Sequence, residues 1–63
     1  MRKLSRKLQD YLLEFINGKR EFEGECEIIT RLKIILLALG AELVKWEEKN
    51  ENTCLIRVYY HAS

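Results

Sequence analysis

Residues 25–39 read ECEIITRLKIILLAL and are followed by Gly40, and this stretch decides the fold. It contains no Gly, Pro, Asn or Asp, so we predict a helix of about four turns that ends at Gly40. A second apolar strip lies on the opposite side of this helix from the main one and consists of Ile34, Leu37 and Ala38. The main apolar arc spans about 120° and consists of Ile28, Ile29, Leu32, Ile35, Leu36 and Leu39.

A helix that is apolar on both sides needs cover on both sides. The chain has 63 residues, and a domain of this size buries only about 60% of the surface of its unfolded chain. The cost of ordering such a chain nearly cancels its apolar gain. We therefore expect the second strip to be covered by a second copy of the chain or by a dedicated protein partner.

Residues 3–16 predict a first helix on the N-terminal side of the central one. Asn17 and Gly18 end it, because glycine suits the left-handed position that follows a helix. Residues 18–24 are expected to form a polar loop anchored by Phe22. The apolar stripe of the first helix consists of Leu4, Leu8, Tyr11, Leu12, Phe15 and Ile16.

Residues 41–48 and 53–61 alternate with a period of two, which predicts two strands joined by a turn over residues 49–52. The first strand is expected to place Val44 and Trp46 on one side and Leu43, Lys45 and Glu47 on the other. In the second strand, one face consists of Cys54, Ile56, Val58 and Tyr60, and the opposite face of Leu55, Arg57, Tyr59 and His61.

The predicted fold class is therefore α+β, with two helices packed on a C-terminal antiparallel hairpin (ααββ) in a single domain, residues 1–63. A lone hairpin is only marginally stable in water and leaves two open edges. We expect a symmetric dimer to complete the fold, through an intermolecular four-stranded sheet or a helix-to-helix seam.

Composition favours a small globular protein, since 48% of the residues are hydrophobic and the net charge is +1. The apolar run 34–39 is far shorter than the roughly 20 residues of a membrane span, and no signal peptide is recognised. We expect a cytoplasmic protein without membrane association. Abundant Glu, Lys and Arg beside a single Gln and a single Asp are typical of thermophilic proteins.

Two cysteines, Cys26 and Cys54, are too few for a disulfide framework. With His61 as the only histidine they also supply too few ligands for a structural zinc, so we expect no metal and no cofactor. The first interpretation is a pair of buried thiols, and the alternative is one Cys26–Cys54 disulfide.

No combination of side chains indicates catalysis. His61 has no acidic neighbour at a spacing that would orient it, and its strand parity is opposite to that of Cys54. We assign no catalytic residue and expect a protein that is not an enzyme.

The outward hairpin face suggests binding instead. Leu43, Leu55 and Tyr59 lie there beside Arg57, and Tyr with Arg among apolar residues is typical of contact surfaces. Together with the second strip of the central helix they form the predicted interaction set, whose members bind either a second copy or another protein. The alternative is ordinary cross-strand pairing on a solvated face. The expected function is that of a small intracellular interaction or regulatory protein.

Positive charge concentrates near the N-terminus, where six cations and two carboxylates give residues 1–20 a net charge of +4. Two helices followed by a hairpin resemble the second half of a winged helix-turn-helix, with residues 49–52 as the wing. This resemblance implies a DNA-binding transcriptional regulator, our second hypothesis, although the central helix has few polar side chains to read base edges. The candidate nucleic-acid contacts are Arg2, Lys3, Arg6, Lys7, Lys19, Arg20 and Lys49.

A third hypothesis comes from Gln9, Leu12, Phe15 and Ile16. Their spacing resembles the peptide box of proteins that bind sliding clamps, Q-x-x-aliphatic-x-x-aromatic-aromatic/aliphatic, and implies such binding here. The three apolar positions also belong to the core stripe of the first helix, so an amphipathic helix produces them by default.

Overall fold

A computed structural model describes residues 6–61 of the chain, and these form two helices and three strands. The strands make one antiparallel sheet in the order β1-β3-β2. The α+β class is therefore confirmed, but the predicted ααββ order is wrong because a strand lies between the helices and the sheet is not a two-stranded hairpin. In chain order the elements are α1 (Arg6–Ile16), β1 (Glu21–Glu25), α2 (Cys26–Ala38), β2 (Glu42–Glu48) and β3 (Thr53–Tyr59).

Both helices lie on the same side of the sheet, and the core fills the space between them. The Tyr11 ring on α1 meets the Phe22 ring on β1 edge to face at 5.8 Å between centroids, and Phe15 meets Tyr60 in the same way at 5.3 Å. The inward side of β3 is as predicted. The buried cluster consists of Leu8, Phe15, Phe22, Ile29, Leu32, Leu36, Ala41, Cys54, Ile56 and Val58.

The predicted loop over residues 18–24 is wrong from Glu21 onward, because this segment is the edge strand β1. Phe22, which we expected only to anchor a loop, lies opposite Ile56 of β3 and is 1% exposed. A five-residue segment with one large apolar side chain gives little local indication of a strand. Its pairing with β3, a segment about thirty residues further along the chain, defines it.

The central helix is confirmed to within one residue at each end, since α2 spans Cys26–Ala38. Ile29, Leu32 and Leu36 are completely buried. Leu39 was placed in the core but is 55% exposed, because it caps the helix beyond the last turn. Gly40 follows with φ of +108°, in the left-handed region that favours glycine.

Helix α1 agrees with the prediction where it is described, whereas Leu4 and the predicted start at residue 3 lie outside the described residues. Leu8 and Phe15 are buried as expected. Ile16 was assigned to the core stripe but is 74% exposed, because it occupies the last position of the helix, beyond the area that α2 covers.

The predicted hairpin forms between β2 and β3, but β3 is the central strand and not an edge. Leu55 was expected to be exposed on the outward face, yet only 7% of it is accessible. It lies between Glu23 of β1 and Glu47 of β2, which are its direct partners across the sheet. The prediction failed because it omitted β1.

Strand β2 contains a bulge that reverses part of the predicted alternation. Leu43 lies opposite Val58 and Lys45 lies opposite Arg57, so Val44 is the extra residue between them. Directly opposite residues share a face, so Leu43 points to the helical side of the sheet together with Trp46. Its predicted place on the outward face beside Lys45 is wrong.

Cys26 and Cys54 form a disulfide, so the first interpretation of two thiols is wrong and the alternative is confirmed. The register of β1 with β3 places Cys54 opposite Gly24. Cys26, at the start of α2, follows Gly24 by two residues. The two Cα atoms are 4.7 Å apart, within the range that a disulfide spans.

Candidate interaction surface

Exposed apolar side chains concentrate on the two helices and on strand β2. Among the described residues, eight of the nine large apolar side chains that are exposed belong to the helices, the α2 C-cap or β2. They are Leu13, Ile16, Ile34, Leu37, Leu39, Leu43, Val44 and Trp46. The ninth, Tyr59, lies on the other side of the sheet.

Helix α2 and strand β2 present the central part of this area. Because Ile29, Leu32 and Leu36 pack inward, the helical repeat leaves Ile34 and Ala38 on the side away from the sheet. We call Ile34, Leu37, Ala38, Leu43 and Trp46 the α2–β2 surface; their exposed fractions include 59% for Ile34 and 41% for Leu37.

One cation lies beside this surface and is already engaged. The Lys33 ammonium is 5.1 Å from the centroid of the Trp46 ring, in a cation–π contact that joins the helix to β2. Leu37 follows Lys33 by one helical turn, so it also lies on the β2 side of the helix. The surface is therefore apolar at its centre, and the Lys33 charge beside it is held against an aromatic ring.

A shallow apolar groove extends the α2–β2 surface toward α1. Its volume is about 290 Å³, and it is lined by Leu8, Arg31, Ile34 and Ile35. Arg31 forms an exposed ion pair with Glu27 at 3.7 Å. Since Ile34 belongs to both features, the groove and the α2–β2 surface form one area.

The outward side of the sheet is different in character. Arg57 Nη2 lies 3.4 Å from Glu21 Oε2 across the strands, and Lys45 Nζ lies 3.3 Å from Glu47 Oε1. The Tyr59 hydroxyl is 3.3 Å from His61 Nδ1. One of these contacts joins neighbouring strands, and the other two each join residues two positions apart in the chain.

The predicted interaction set is thus divided between two sides of the molecule. Ile34, Leu37, Ala38 and Leu43 come together, whereas Arg57 and Tyr59 lie across the sheet from them. Leu55 is buried and offers no surface to a partner. Trp46 was missed, although the predicted alternation already placed it on the side of β2 opposite Lys45 and Glu47.

Negative charge dominates the outward sheet face. By register and alternation it carries the side chains of Glu21, Glu23, Glu42 and Glu47, and two cations, Lys45 and Arg57. Four carboxylates against two cations give the described part of this face a net charge of −2. Such a face repels nucleic-acid phosphates.

The candidate nucleic-acid contacts do not form one described patch. Arg6 and Lys7 are exposed on α1 and Lys49 is exposed in the β2–β3 turn, whereas Arg2 and Lys3 lie outside the described residues. The remaining two, Lys19 and Arg20, make contacts within the fold.

Lys19 Nζ lies 3.3 Å from Glu14 Oε1. The Arg20 guanidinium lies over the Phe15 ring at 4.6 Å and donates a hydrogen bond to the Phe15 carbonyl oxygen at 2.9 Å. Arg20 thereby joins the end of α1 to the start of β1, and its charge is committed to the fold.

The sliding-clamp box is only partly available. Phe15 is 5% exposed and Leu12 is half-buried, whereas Gln9 and Ile16 lie at the surface. A clamp that bound this box would have to draw Phe15 out of the core, which costs on the order of 3–5 kcal/mol if the site is left empty.

Within residues 6–61, no group of three or more His, Cys, Asp and Glu side chains is placed to hold a metal ion. Over the same residues, neither helix combines the length and apolar character required to cross a bilayer.

Comparison of the chain with protein-family models, with curated proteins and with solved structures found no match.

Proposed function

We propose that this protein is a self-associating interaction module that binds a second copy of itself through the α2–β2 surface. The exposure of Ile34 and Leu37 on a chain too short to cover them carries this proposal. A contiguous exposed apolar area on a small domain is typical of an interaction site.

Symmetry favours a second copy as the occupant. A biological interface buries roughly 1,000 Å² or more in total, so self-association requires the α2–β2 surface and the groove beside it to be covered together. A two-fold axis uses the same patch on both subunits, so an apolar patch needs no complementary charge from a different partner.

The two edges of the sheet favour a dimer interface formed by the helical layer and not by an intermolecular sheet. At β1, the Tyr11 hydroxyl donates a hydrogen bond to the Glu23 carbonyl oxygen at 2.9 Å, which covers that edge. At β2, the bulge at Val44 and the charged residues Glu42 and Lys45 are features that discourage strand pairing between molecules. The helical layer is therefore the proposed contact.

The test is sedimentation velocity over a range of concentrations with Ile34→Glu/Leu37→Glu. We expect the unaltered chain to sediment as a dimer and the double variant as a monomer, because two buried carboxylates in each subunit oppose association. Tyr59→Glu, on the outward sheet face, is the matched control and should leave the dimer intact.

Circular dichroism of both variants checks that each remains folded. A double variant that dimerises as tightly as the unaltered chain would contradict the proposed surface. An unaltered chain that stays monomeric at every concentration would contradict self-association itself.

The DNA-binding alternative has weaker support, because Lys19 and Arg20 are engaged within the fold and the outward sheet face is acidic. Its test is titration of random duplex DNA at low salt. Binding that weakens steeply as salt rises would favour this alternative.

A further inference from the structure

The two halves of the Cys26–Cys54 disulfide differ in burial. Cys54 is completely buried, whereas Cys26 is half-buried and lines an open cavity of about 270 Å³. The other lining residues are Glu25, Glu27, Glu51 and Asn52. Cys26 is therefore the half of the disulfide that borders this open cavity.

Glutamates from three parts of the chain line this cavity. Glu25 ends β1, Glu27 lies in the first turn of α2, and Glu51 lies in the β2–β3 turn. Two neighbouring cations reduce their effect: Arg31, which pairs with Glu27 at 3.7 Å, and Lys49 in the same turn as Glu51.

A fourth carboxylate, that of Glu48, lies opposite Cys54 in the register of β2 with β3. Four carboxylates and two cations leave a net charge of −2 around the disulfide. The local potential therefore attracts cations and repels anions.

We propose that Cys26 is a thiol-exchange site that selects reductants by charge, favouring small cationic thiols and rejecting anionic ones. The reductant's thiolate attacks the Cys26 sulfur, the Cys26–Cys54 bond breaks, and Cys54 leaves as a thiolate that takes up a proton. A second thiolate attacks the reductant's sulfur in the mixed disulfide. It releases Cys26 as a thiol after protonation and forms the oxidised reductant dimer.

The expected selectivity follows from Coulomb's law. A charge of −2 at about 6 Å in a watery cavity changes the rate roughly tenfold for each unit of reductant charge at low ionic strength. In 1 M salt the Debye length falls to about 3 Å, so the selectivity should largely disappear.

The experiment measures reduction of the folded protein by three thiols of different charge: cysteamine, 2-mercaptoethanol and 2-mercaptoethanesulfonate. Each rate is expressed per thiolate and divided by the rate of the same thiol on bis(2-hydroxyethyl) disulfide, which removes differences in intrinsic nucleophilicity. The normalised rates should fall in that order at low salt and converge at high salt.

Glu25→Gln/Glu27→Gln/Glu51→Gln should reduce the spread between cysteamine and the sulfonate to within about twofold. Asp10→Asn/Glu21→Gln/Glu42→Gln removes the same number of carboxylates away from the cavity and should retain the spread. Equal normalised rates in the unaltered protein would overturn the proposal. So would rates that do not depend on thiol concentration, because reduction would then follow unfolding instead of entry through the cavity.

The point of attack is tested separately by trapping the cysteamine adduct with iodoacetamide and digesting with trypsin. Cys26 falls in the peptide 21–31 and Cys54 in the peptide 50–57. The adduct should appear on 21–31, and an adduct found mainly on 50–57 would overturn the assignment to Cys26.

Discussion

A large aliphatic side chain is exposed on the helical side of the molecule, whereas one on the outward side of the sheet is buried. Ile34 on α2 is 59% exposed although the helix around it is apolar, whereas Leu55 on β3 is 7% exposed among charged residues. Leu55 is buried because strands flank it on both sides, and Ile34 is exposed because nothing in the described chain packs beyond α2. Neighbours in the fold, more than residue type, decide what is covered.

This contrast also separates two kinds of stabilisation. On the outward sheet face, exposed ion pairs such as Arg57 with Glu21 each contribute little. On the helical side, the apolar side chains that α2 directs toward the sheet stabilise the fold. Those that it directs away from the sheet can contact another molecule.

The largest effect is expected from the bond that joins the start of α2 to the sheet. Cys26→Ser/Cys54→Ser opens a loop with a sequence separation of 28 residues, and loop entropy predicts a loss of about 3–4 kcal/mol in the free energy of unfolding. Urea denaturation of the variant and of the oxidised parent measures it. A loss below about 1 kcal/mol would show that helix and sheet are held together mainly by packing.

A direct test of the contrast compares Leu55→Ala with Ile34→Ala. We expect Leu55→Ala to lower the free energy of unfolding by roughly 2 kcal/mol, at the low end for a buried leucine, because its cover consists of flanking side chains. Ile34→Ala should change it by less than about 0.5 kcal/mol in the monomer.

Both variants are compared by urea denaturation at the lowest workable protein concentration, where association contributes least. Equal losses in the two variants would remove the distinction between the two faces.

The next effect concerns the edge of the sheet under α1. A Cβ at Gly24 would clash with the Tyr11 hydroxyl, which donates a hydrogen bond to the Glu23 carbonyl oxygen. Gly24→Ala should therefore cost about 1–2 kcal/mol of stability through the displaced ring and the lost hydrogen bond.

Tyr11→Phe provides the control for this edge, since it removes the hydroxyl and makes room for the methyl group. The combination Gly24→Ala/Tyr11→Phe should cost less than the sum of the two single changes. Strict additivity in thermal or urea denaturation would contradict the contact between these two residues.

The smallest effect is expected on the outward sheet face. Arg57→Gln removes an exposed ion pair with Glu21, so the free energy of unfolding should change by no more than about 0.5 kcal/mol. The difference should shrink in 1 M salt. A loss several times larger that survives high salt would mean that Arg57 contributes to packing and not only to charge pairing.

The sequence predicted the parts of the fold that depend on local pattern. The uninterrupted stretch 25–39 gave α2 to within one residue at each end, and the alternation over residues 53–61 gave the inward side of β3. The exposed strip of Ile34 and Leu37 also followed from the helical repeat alone. These features require only the period of apolar residues.

The remaining errors came from contacts between distant segments. Strand β1 has one large apolar residue, Phe22, and exists because it pairs with β3. Without β1, the central strand was treated as an edge, so Leu55 was expected to be exposed. The proximity of Cys26 to Cys54 depends on the same register, and the bulge at Val44 has no signature in the alternation of β2.

The most direct measurement of the central claim is the native mass of the purified chain by size exclusion with light scattering, from micromolar to millimolar concentration. Cover of the α2–β2 surface by a second copy predicts a mass approaching twice the 7.5 kDa of one chain as concentration rises. A mass that stays at 7.5 kDa throughout, with Ile34 and Leu37 still exposed, would contradict it.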